Sequence, residues 1–288
     1  MTLQNRRSFL ATLGVAALGC ATGSPAAVTA LGAGAPGSRK LDRVGLQLYT
    51  VRDLMAKDLP GTLARVAEIG YRDVEFAGYY GRSPQEIRDL LTRNGLRAPS
   101  AHVPVAELRG DWKKVLDDAK TIGHEYVTIP WLGETERATI DTWKRTASLF
   151  NSGAFEAKGA GLKFAYHNHD FEFKTIGGVV PMDVLIAETD PTLVTFEMDI
   201  YWVVRGGRDP LEYLRRFPNR FSMFHAKDSG APPKHEMVDV GKGVIDFRSI
   251  LAEGKRVGVQ HVFVEHDNPP DPIASIASSY QYLSKLEF

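Results

Sequence analysis

The chain of 288 residues is poor in cysteine and carries no excess charge of either sign. Cys20 is the single cysteine, so the chain can form neither an internal disulfide nor a zinc site built on several thiolates. Lysine plus arginine equals aspartate plus glutamate at 35 each, whereas a nucleic-acid-binding protein normally has a basic surplus that neutralises phosphates. We therefore expect no nucleic-acid partner.

Two further patterns are missing. The longest apolar stretch near the N-terminus, LATLGVAALGCA, is too short to span a membrane stably. The turn after the first predicted strand reads QLYTVRD and lacks the G-x-G-x-x-G motif that holds phosphates in doubly wound sheets. Stable membrane insertion and dinucleotide binding are therefore not expected.

The N-terminal region has the order of segments that is typical of an export signal. Arg6 and Arg7 lie in NRRSFL, the apolar stretch follows, and the small residues AVTA at 27–30 offer a cleavage site. We predict a twin-arginine signal at 1–30, a flexible linker at 31–42, one domain at 43–288 and a periplasmic location. Lipid attachment at Cys20 is the alternative to simple cleavage.

A strand-like apolar run followed by a helical pattern recurs eight times in the predicted domain. The runs begin near Val44, Tyr71, Arg97, Glu125, Leu162, Leu193, Arg220 and Gln260. One long helical pattern extends from Arg137 to Lys158, and several helical patterns end in a glycine just before the next run. Eight units in roughly 250 residues predict an α/β fold, a single-domain (β/α)8 TIM barrel. A doubly wound open sheet is the alternative.

Ionisable side chains cluster at the ends of five predicted strands. Because alternate residues of a barrel strand face the lumen, LVTFEMD should direct Glu197 and Asp199 inward and its apolar residues toward helices. The same alternation directs inward Asp73, Glu75, His167, His169, His225, Lys227 and Glu265. Burying so many charges without a partner is unfavourable, so we expect a shared cation.

Asp199, His225 and Glu265 are the strongest candidates for metal ligands. An inward histidine is more often a hydrogen-bonded core residue, and a strand-end carboxylate is often only a helix N-cap. Here, however, three separate strands supply ligand types at one level. Carboxylate oxygens and imidazole nitrogen without sulfur suit Mn, Co, Zn or Mg.

These motifs resemble the xylose isomerase-like barrel superfamily, the sugar phosphate isomerase/epimerase group, over about residues 43 to 288. The resemblance lies in GLQLYTVRD, FAYHNHDFEF, EMDIYW, HAKD followed by VGKGVIDF, and FVEHD. It implies one divalent metal held by Glu, Asp, His and Glu from strands five to eight. Asp199, His225 and Glu265 match three of these positions.

The fourth position departs from the family pattern. His167 stands where relatives commonly have a glutamate, so we predict it as the fourth ligand. The form YHNHDFEF resembles a subgroup of inosose dehydratases and lyases that act on 3-keto-glycosides. In two-glutamate epimerases both metal-bound carboxylates exchange protons, so the loss of one argues against a symmetric epimerisation.

The resemblance implies proton abstraction next to a carbonyl, with the metal as Lewis acid. Glu265 is the predicted base, His169 or Glu172 the predicted acid, and Lys227 the group that steadies developing negative charge. Substrate contacts are predicted for Glu75, His102, Trp131 and Trp202, and Tyr201 is a further candidate for stacking on a sugar ring.

The first expectation is a metal-dependent isomerase or epimerase, and the substrate is expected to be a small unphosphorylated sugar or keto-sugar, because the chain is predicted to be exported. A dehydratase or lyase acting on an inosose or a 3-keto-glycoside is the alternative. A non-catalytic carbohydrate-binding barrel is a third interpretation, and neutral charge disfavours an apurinic endonuclease. The sequence is also compatible with a homo-oligomer.

Overall fold

A computed structural model of the protein describes residues 39–288. Eight parallel strands close into a barrel in the order β1-β10-β7-β6-β5-β4-β3-β2, so the predicted (β/α)8 barrel is confirmed. The barrel strands are β1 (Gly45–Gln47), β2 (Asp73–Phe76), β3 (Arg97–His102), β4 (Tyr126–Ile129), β5 (Lys163–His167), β6 (Val194–Asp199), β7 (Phe221–Ala226) and β10 (His261–Val264). A small antiparallel hairpin, β8 (Asp228–Ser229) and β9 (Met237–Val238), lies between the last two.

Helices connect consecutive barrel strands. They are α1 (Arg52–Lys57), α2 (Leu59–Ile69), α3 (Pro84–Asn94), α4 (Trp112–Ile122), α5 (Glu134–Arg137), α6 (Ile140–Gly159), α7 (Pro181–Glu188), α8 (Ile200–Arg205), α9 (Pro210–Arg216), α10 (Phe247–Arg256) and α11 (Pro272–Leu283). Short 3-10 turns occupy Leu48–Val51, Val105–Arg109 and Phe171–Phe173. None of the helices within residues 39–288 combines the length and apolar character needed to cross a membrane.

Local sequence sets most helix ends. Ser83 caps α3 in a capping box with Glu86, and proline occupies the first turn of α2, α3, α7, α9 and α11, where its missing N–H is not needed. The prediction that helices end at a glycine is confirmed for α2, α3 and α4, where Gly70, Gly95 and Gly123 have positive φ.

The long helical pattern predicted from Arg137 to Lys158 is confirmed as α6, which begins at Ile140 because Thr139 forms a capping box with Thr142. Helix α8 follows β6 directly and was not predicted. It starts there because the Asp199 side chain accepts a hydrogen bond from the Trp202 N–H at 3.0 Å.

The lumen is filled in layers. An apolar plug of Tyr126, Ala165, Met223 and Phe263 fills the middle of the barrel. Gly45 is part of this arrangement, because a Cβ on it would lie 2.5 Å from the Phe263 ring. Polar and charged side chains are stacked above the plug, toward the carboxyl ends of the strands, and this is where the candidate site lies.

The predicted export signal at 1–30, with Arg6, Arg7 and Cys20, lies outside the described residues. So does the linker as far as residue 38. Arg39 already belongs to the barrel, because its N–H donates to the Phe288 carbonyl at 2.9 Å and its carbonyl accepts from the Phe288 N–H at 2.8 Å. Ordered contacts therefore begin before the predicted boundary at residue 43.

Candidate active site and metal centre

A cavity of about 590 Å³ opens at the carboxyl ends of the barrel strands. The predicted site residues that line it are His102, Trp131, His167, His169, Trp202, Lys227 and Glu265. They come from six barrel strands, β3, β4, β5, β6, β7 and β10, or from the loops and the helix that directly follow these strands. The cavity therefore collects side chains that are far apart in sequence, as active sites of TIM barrels do.

Asp199 and His225 meet Glu265, which lines this cavity. The His225 Nδ1 lies 2.7 Å from Glu265 Oε2, and ligand atoms of all three residues lie within 4.8 Å of one another. Asp199 has two separate roles available to it. Its Oδ1 caps α8, while its buried Oδ2 takes no part in the cap, accepts no hydrogen bond and contacts a cation, the Lys227 ammonium, at 3.1 Å. Helix capping therefore does not compete with metal binding.

Lys227 lies among the same acidic groups. Its Nζ is 2.6 Å from Asp267 Oδ1, 2.8 Å from Glu265 Oε2 and 3.1 Å from Asp199 Oδ2. Burial disfavours the ammonium, but Asp199 and Glu265 hold the pKa of Lys227 well above its usual range. Lys227 is therefore a fixed positive charge at the cavity floor.

His167 stands between two carboxylates at different depths. Its Nδ1 is 3.1 Å from Glu197 Oε2, and its Nε2 is 3.6 Å from Asp199 Oδ2. Burial and the neighbouring His225 lower the pKa of His167 well below its usual range, so the ring is neutral. A neutral imidazole that directs one nitrogen toward the metal-ligand candidates fits its predicted place as fourth ligand.

The charge balance of the centre fits a divalent cation. Its side-chain carboxylates are Glu75, Glu197, Asp199, Glu265 and Asp267. Within residues 39–288, Lys227 is the one lysine or arginine in ion-pair contact with any of them. An oxygen and imidazole donor set with a buried, unbonded carboxylate oxygen is a suitable environment for Zn, Mn, Co or Mg.

A second layer lies below this floor. Glu75 and Glu197 are fully buried, and the His102 Nε2 is 3.1 Å from Oε2 of the first and 2.9 Å from Oε2 of the second. The predicted contact between Glu75 and substrate does not fit this position, because Glu75 does not line the cavity. Burial opposes the charged form of His102, yet Glu75 and Glu197 raise its pKa to about 9.

His169 lies on the cavity wall in an aromatic environment. Its ring centroid is 4.7 Å from that of Trp131 and 5.4 Å from that of Trp202, and its buried Nδ1 has no hydrogen-bond partner. Burial and the Lys227 charge lower the pKa of His169 well below its usual range. The ring is therefore neutral at pH 7.

Glu172 lies behind His169 and does not line the cavity. Its Oε2 accepts a hydrogen bond from the His169 N–H at 2.9 Å, and its Oε1 accepts one from the Tyr166 hydroxyl at 2.5 Å. Its predicted role as an acid that reaches substrate does not fit, because the carboxyl is fully buried. It braces the loop that presents His169.

The aromatic predictions have mixed outcomes. Trp131 is half exposed at the rim, with the Arg137 guanidinium 5.1 Å from its ring, and Trp202 lines the wall. Tyr201 is buried and donates its hydroxyl hydrogen to the His235 carbonyl at 2.8 Å. Two tryptophan faces are thus available to a sugar ring, whereas Tyr201 does not line the cavity.

Sequence reasoning missed four polar or aromatic residues that line the cavity, namely Tyr49, Asp170, Asp267 and Asn268. Asp267 belongs to the FVEHD motif, but it lies beyond the end of β10 at Val264, where strand alternation no longer gives a direction. Tyr49 and Asn268 lie in a 3-10 turn and a loop, where no periodicity predicts direction.

Comparisons with known proteins identify the family of the chain. Residues 63–286 match the family model described as Xylose isomerase-like TIM barrel. The chain is 25% identical over 235 residues to an inosose dehydratase of Geobacillus kaustophilus, covering 68% of this chain and 72% of that protein. It is 34% identical over 248 residues to an inosose dehydratase of Clostridium tetani, covering 71% and 81%.

A solved structure is also similar. It is a sugar phosphate isomerase/epimerase from Parabacteroides distasonis, 27% identical, with a TM-score of 0.75. The match covers 90% of this chain and 98% of that one.

Proposed function

The chain belongs to the xylose isomerase-like TIM barrel family, and from this premise we propose that it is a metal-dependent lyase. The reaction is the elimination of water or an alcohol from an unphosphorylated keto-sugar or inosose. The observation that carries this proposal is the His169 imidazole on the wall of the same cavity that is lined by Glu265, a member of the cluster of Asp199, His225 and Glu265. A histidine beside a metal-binding cluster can remove a proton next to a carbonyl and deliver it to a leaving oxygen.

A divalent cation held by Asp199, His225, Glu265 and His167 would supply Lewis-acid polarisation of the substrate carbonyl. Lys227, buried at the same level, supports negative charge that develops on the carbonyl oxygen. Trp131 and Trp202 offer flat apolar faces that hold the ring in one orientation.

His169 carries the proton in both halves of the elimination. The unprotonated nitrogen of its neutral ring accepts the proton from the carbon next to the carbonyl, and the electron pair of that C–H bond forms the new C=C bond. The C–O bond of the leaving group breaks and its oxygen takes the proton from the imidazolium, so the ring returns to its neutral form. No outside oxidant or reductant is required.

This assignment moves the base from Glu265 to His169. Burial alone would raise the pKa of Glu265, but Lys227 and His225 hold it well below its usual range. Such a carboxylate is a weak proton acceptor and a good cation ligand. The His169 imidazole is not among the candidate metal ligands and lines the cavity, so it is free to take the proton instead.

The substrate class follows from the charges of the cavity. Among its lining residues, Lys227 is the one lysine or arginine, and three carboxylates already surround it. A phosphate group would find no unpaired cation there. An uncharged polyol ring with a carbonyl suits this lining better, and the two inosose dehydratase relatives support that choice.

An isomerase or epimerase is the second candidate, and the Parabacteroides distasonis structure favours it. Both candidates begin with the same proton abstraction. They differ in the product, because elimination lowers the mass of the sugar by that of the leaving group and isomerisation leaves it unchanged.

The test is incubation of zinc- or manganese-loaded protein with inososes and 3-keto-glycosides in deuterated water, followed by mass spectrometry. We expect loss of water or alcohol from one of them. H169Q should lower turnover and deuterium exchange by roughly 100-fold or more while keeping its metal. H261Q is the matched control, a histidine on β10 at the opposite end of the barrel, and it should keep wild-type turnover.

Three results would count against the proposal. Deuterium uptake without loss of mass would support the isomerase. Full exchange by H169Q together with none by metal-loaded E265Q would return the base to Glu265. Tight binding of a carbonyl sugar by metal-loaded wild type, with neither exchange nor turnover, would support the carbohydrate-binding barrel.

A further inference from the structure

Two buried carboxylates below the cavity floor have no part in the chemistry described above. Glu75 and Glu197 are fully buried, and the Oε1 atom of each has no hydrogen-bond partner. Taking a carboxylate out of water costs several kcal/mol, and apolar residues often fill such positions at no loss of stability. A functional role would explain why carboxylates rather than apolar side chains occupy these two positions in the lumen.

Both carboxylates contact histidines of the metal centre on the side away from the cavity floor. Glu75 Oε2 lies 2.7 Å from the Nε2 of His225, whose Nδ1 is 2.7 Å from Glu265. Glu197 Oε2 lies 3.1 Å from the Nδ1 of His167, whose Nε2 faces Asp199 Oδ2 at 3.6 Å, and it also lies 3.1 Å from the Nε2 of His225, beside Glu75. Each ring is therefore held between a deep carboxylate and a carboxylate at the floor.

A histidine binds a metal through one nitrogen only, and the N–H on its other nitrogen commonly donates to a carboxylate that fixes the ring and its tautomer. We infer that Glu75 and Glu197 are the positioning residues of the metal centre. Glu75 holds His225 with its proton on Nε2, and Glu197 holds His167 with its proton on Nδ1. The two ligands thus bind through different ring nitrogens.

His102 connects the pair of carboxylates. Its Nε2 contacts both Oε2 atoms, and its ring is stacked on that of His225 with centroids 5.2 Å apart. Gln47 adds a further donor to Glu75 Oε2 at 2.7 Å. These contacts leave each deep carboxylate little freedom to move, so each carboxylate can hold its histidine ring in one orientation.

This inference rests on the proposed metal centre, and its test separates the two. Zinc affinity is measured by competition with a chromophoric chelator for wild type, E75Q and E197Q. We expect one zinc per chain in all three and an affinity roughly 10-fold to 100-fold weaker in each variant. D73N is the matched control, a buried carboxylate two residues before Glu75 on β2 that pairs with Arg97 at the other end, and it should bind zinc as wild type does.

A second measurement needs no substitution of Glu75 or Glu197. In the ¹⁵N imidazole spectrum of zinc-loaded wild type, with assignments from H225Q and H167Q, the proton should lie on Nε2 of His225 and on Nδ1 of His167. The opposite tautomers, or unchanged affinity in both E75Q and E197Q, would overturn the inference while the metal centre stands. Two zinc ions per wild-type chain would overturn it as well, because the deep carboxylates would then be ligands. No zinc binding by wild type would refute the metal centre itself.

Discussion

At the scale of single residues, Glu172 is a carboxyl outside the metal centre whose buried environment changes its pKa. It is buried between Tyr166 and the His169 backbone, and burial raises its pKa to about 8. The neutral carboxyl is therefore favoured in the folded protein, whereas the unfolded chain ionises near pH 4.3. Folding retains a proton across this interval, so the wild-type free energy of unfolding should fall as the pH rises from about 4.3 to about 8.

The substitution E172Q should remove this dependence, because glutamine resembles the protonated carboxyl. We expect similar unfolding free energies for the metal-free variant and wild type near pH 4.5. The variant should become the more stable protein as pH rises, by up to roughly 1.4 kcal/mol per pH unit within the window. Urea unfolding at pH 5, 7 and 8.5 measures this. A difference that stays constant across the three pH values would mean that Glu172 ionises normally.

At the scale of elements, the loop between β8 and α10 is held by one side chain. Asp228 is fully buried and accepts hydrogen bonds from the N–H groups of Ser229, Gly241, Gly243 and Ile245 at 2.8 to 3.2 Å. This explains why HAKD is followed by VGKGVIDF. These four hydrogen bonds also hold the chain next to Lys227 and so fix the Lys227 ammonium at the cavity floor.

The substitution D228N should loosen this loop. The amide nitrogen cannot accept a hydrogen bond, so at least one N–H loses its partner, and we expect a loss of roughly 2–4 kcal/mol in unfolding free energy with faster proteolysis between β8 and α10. G243A should act similarly, because its Cβ would lie 2.2 Å from Asp228 Oδ1.

The matched control for the loop is D246N. Asp246 caps α10 by accepting from the Ser249 N–H at 3.2 Å, and asparagine is an equally good cap, so this change should cost well under 1 kcal/mol. Equal stability of D228N and D246N would show that the four contacts to Asp228 are dispensable.

At the scale of the whole molecule, the metal should connect neighbouring parts of the barrel. Asp199 ends β6, His225 lies in β7 and Glu265 follows β10, and these three strands are adjacent in the sheet. A ligand that binds only the folded state at 100 times its dissociation constant stabilises it by about 2.7 kcal/mol. For a domain of this size, that corresponds to a rise in Tm of roughly 5–10 °C.

Calorimetry of chelator-treated protein with and without zinc checks this expectation. D199N should abolish the rise, because asparagine keeps the helix cap of α8 but removes the charge that faces the cation. D73N should keep it, since Asp73 lies at the opposite end of the barrel. An equal rise for D199N and wild type would exclude Asp199 as a ligand.

The sequence by itself determined the barrel and the level of three candidate ligands. Eight repeats of strand and helix require a sheet that closes, and the two-residue period of a strand fixes which side chains enter the lumen. Asp199, His225 and Glu265 could be aligned because each stands at or just after the end of its strand, where parallel strands meet at one face.

Only the tertiary structure decided how deep in the barrel the other site residues lie. These residues are Glu75, Glu197, His169 and Glu172. The two-residue period of a strand gives the direction of the Glu75 and Glu197 side chains but not their height along the barrel axis. That height depends on the register between neighbouring strands. The register shifts between Asp73 and Glu75 in β2 and between Phe196 and Glu197 in β6. After a strand ends, the period is lost. The 3-10 turn Phe171–Phe173 therefore decided that His169 lines the cavity while Glu172 is buried behind it. Direction along a strand is a local property of the backbone, whereas depth and loop path depend on how the whole barrel closes.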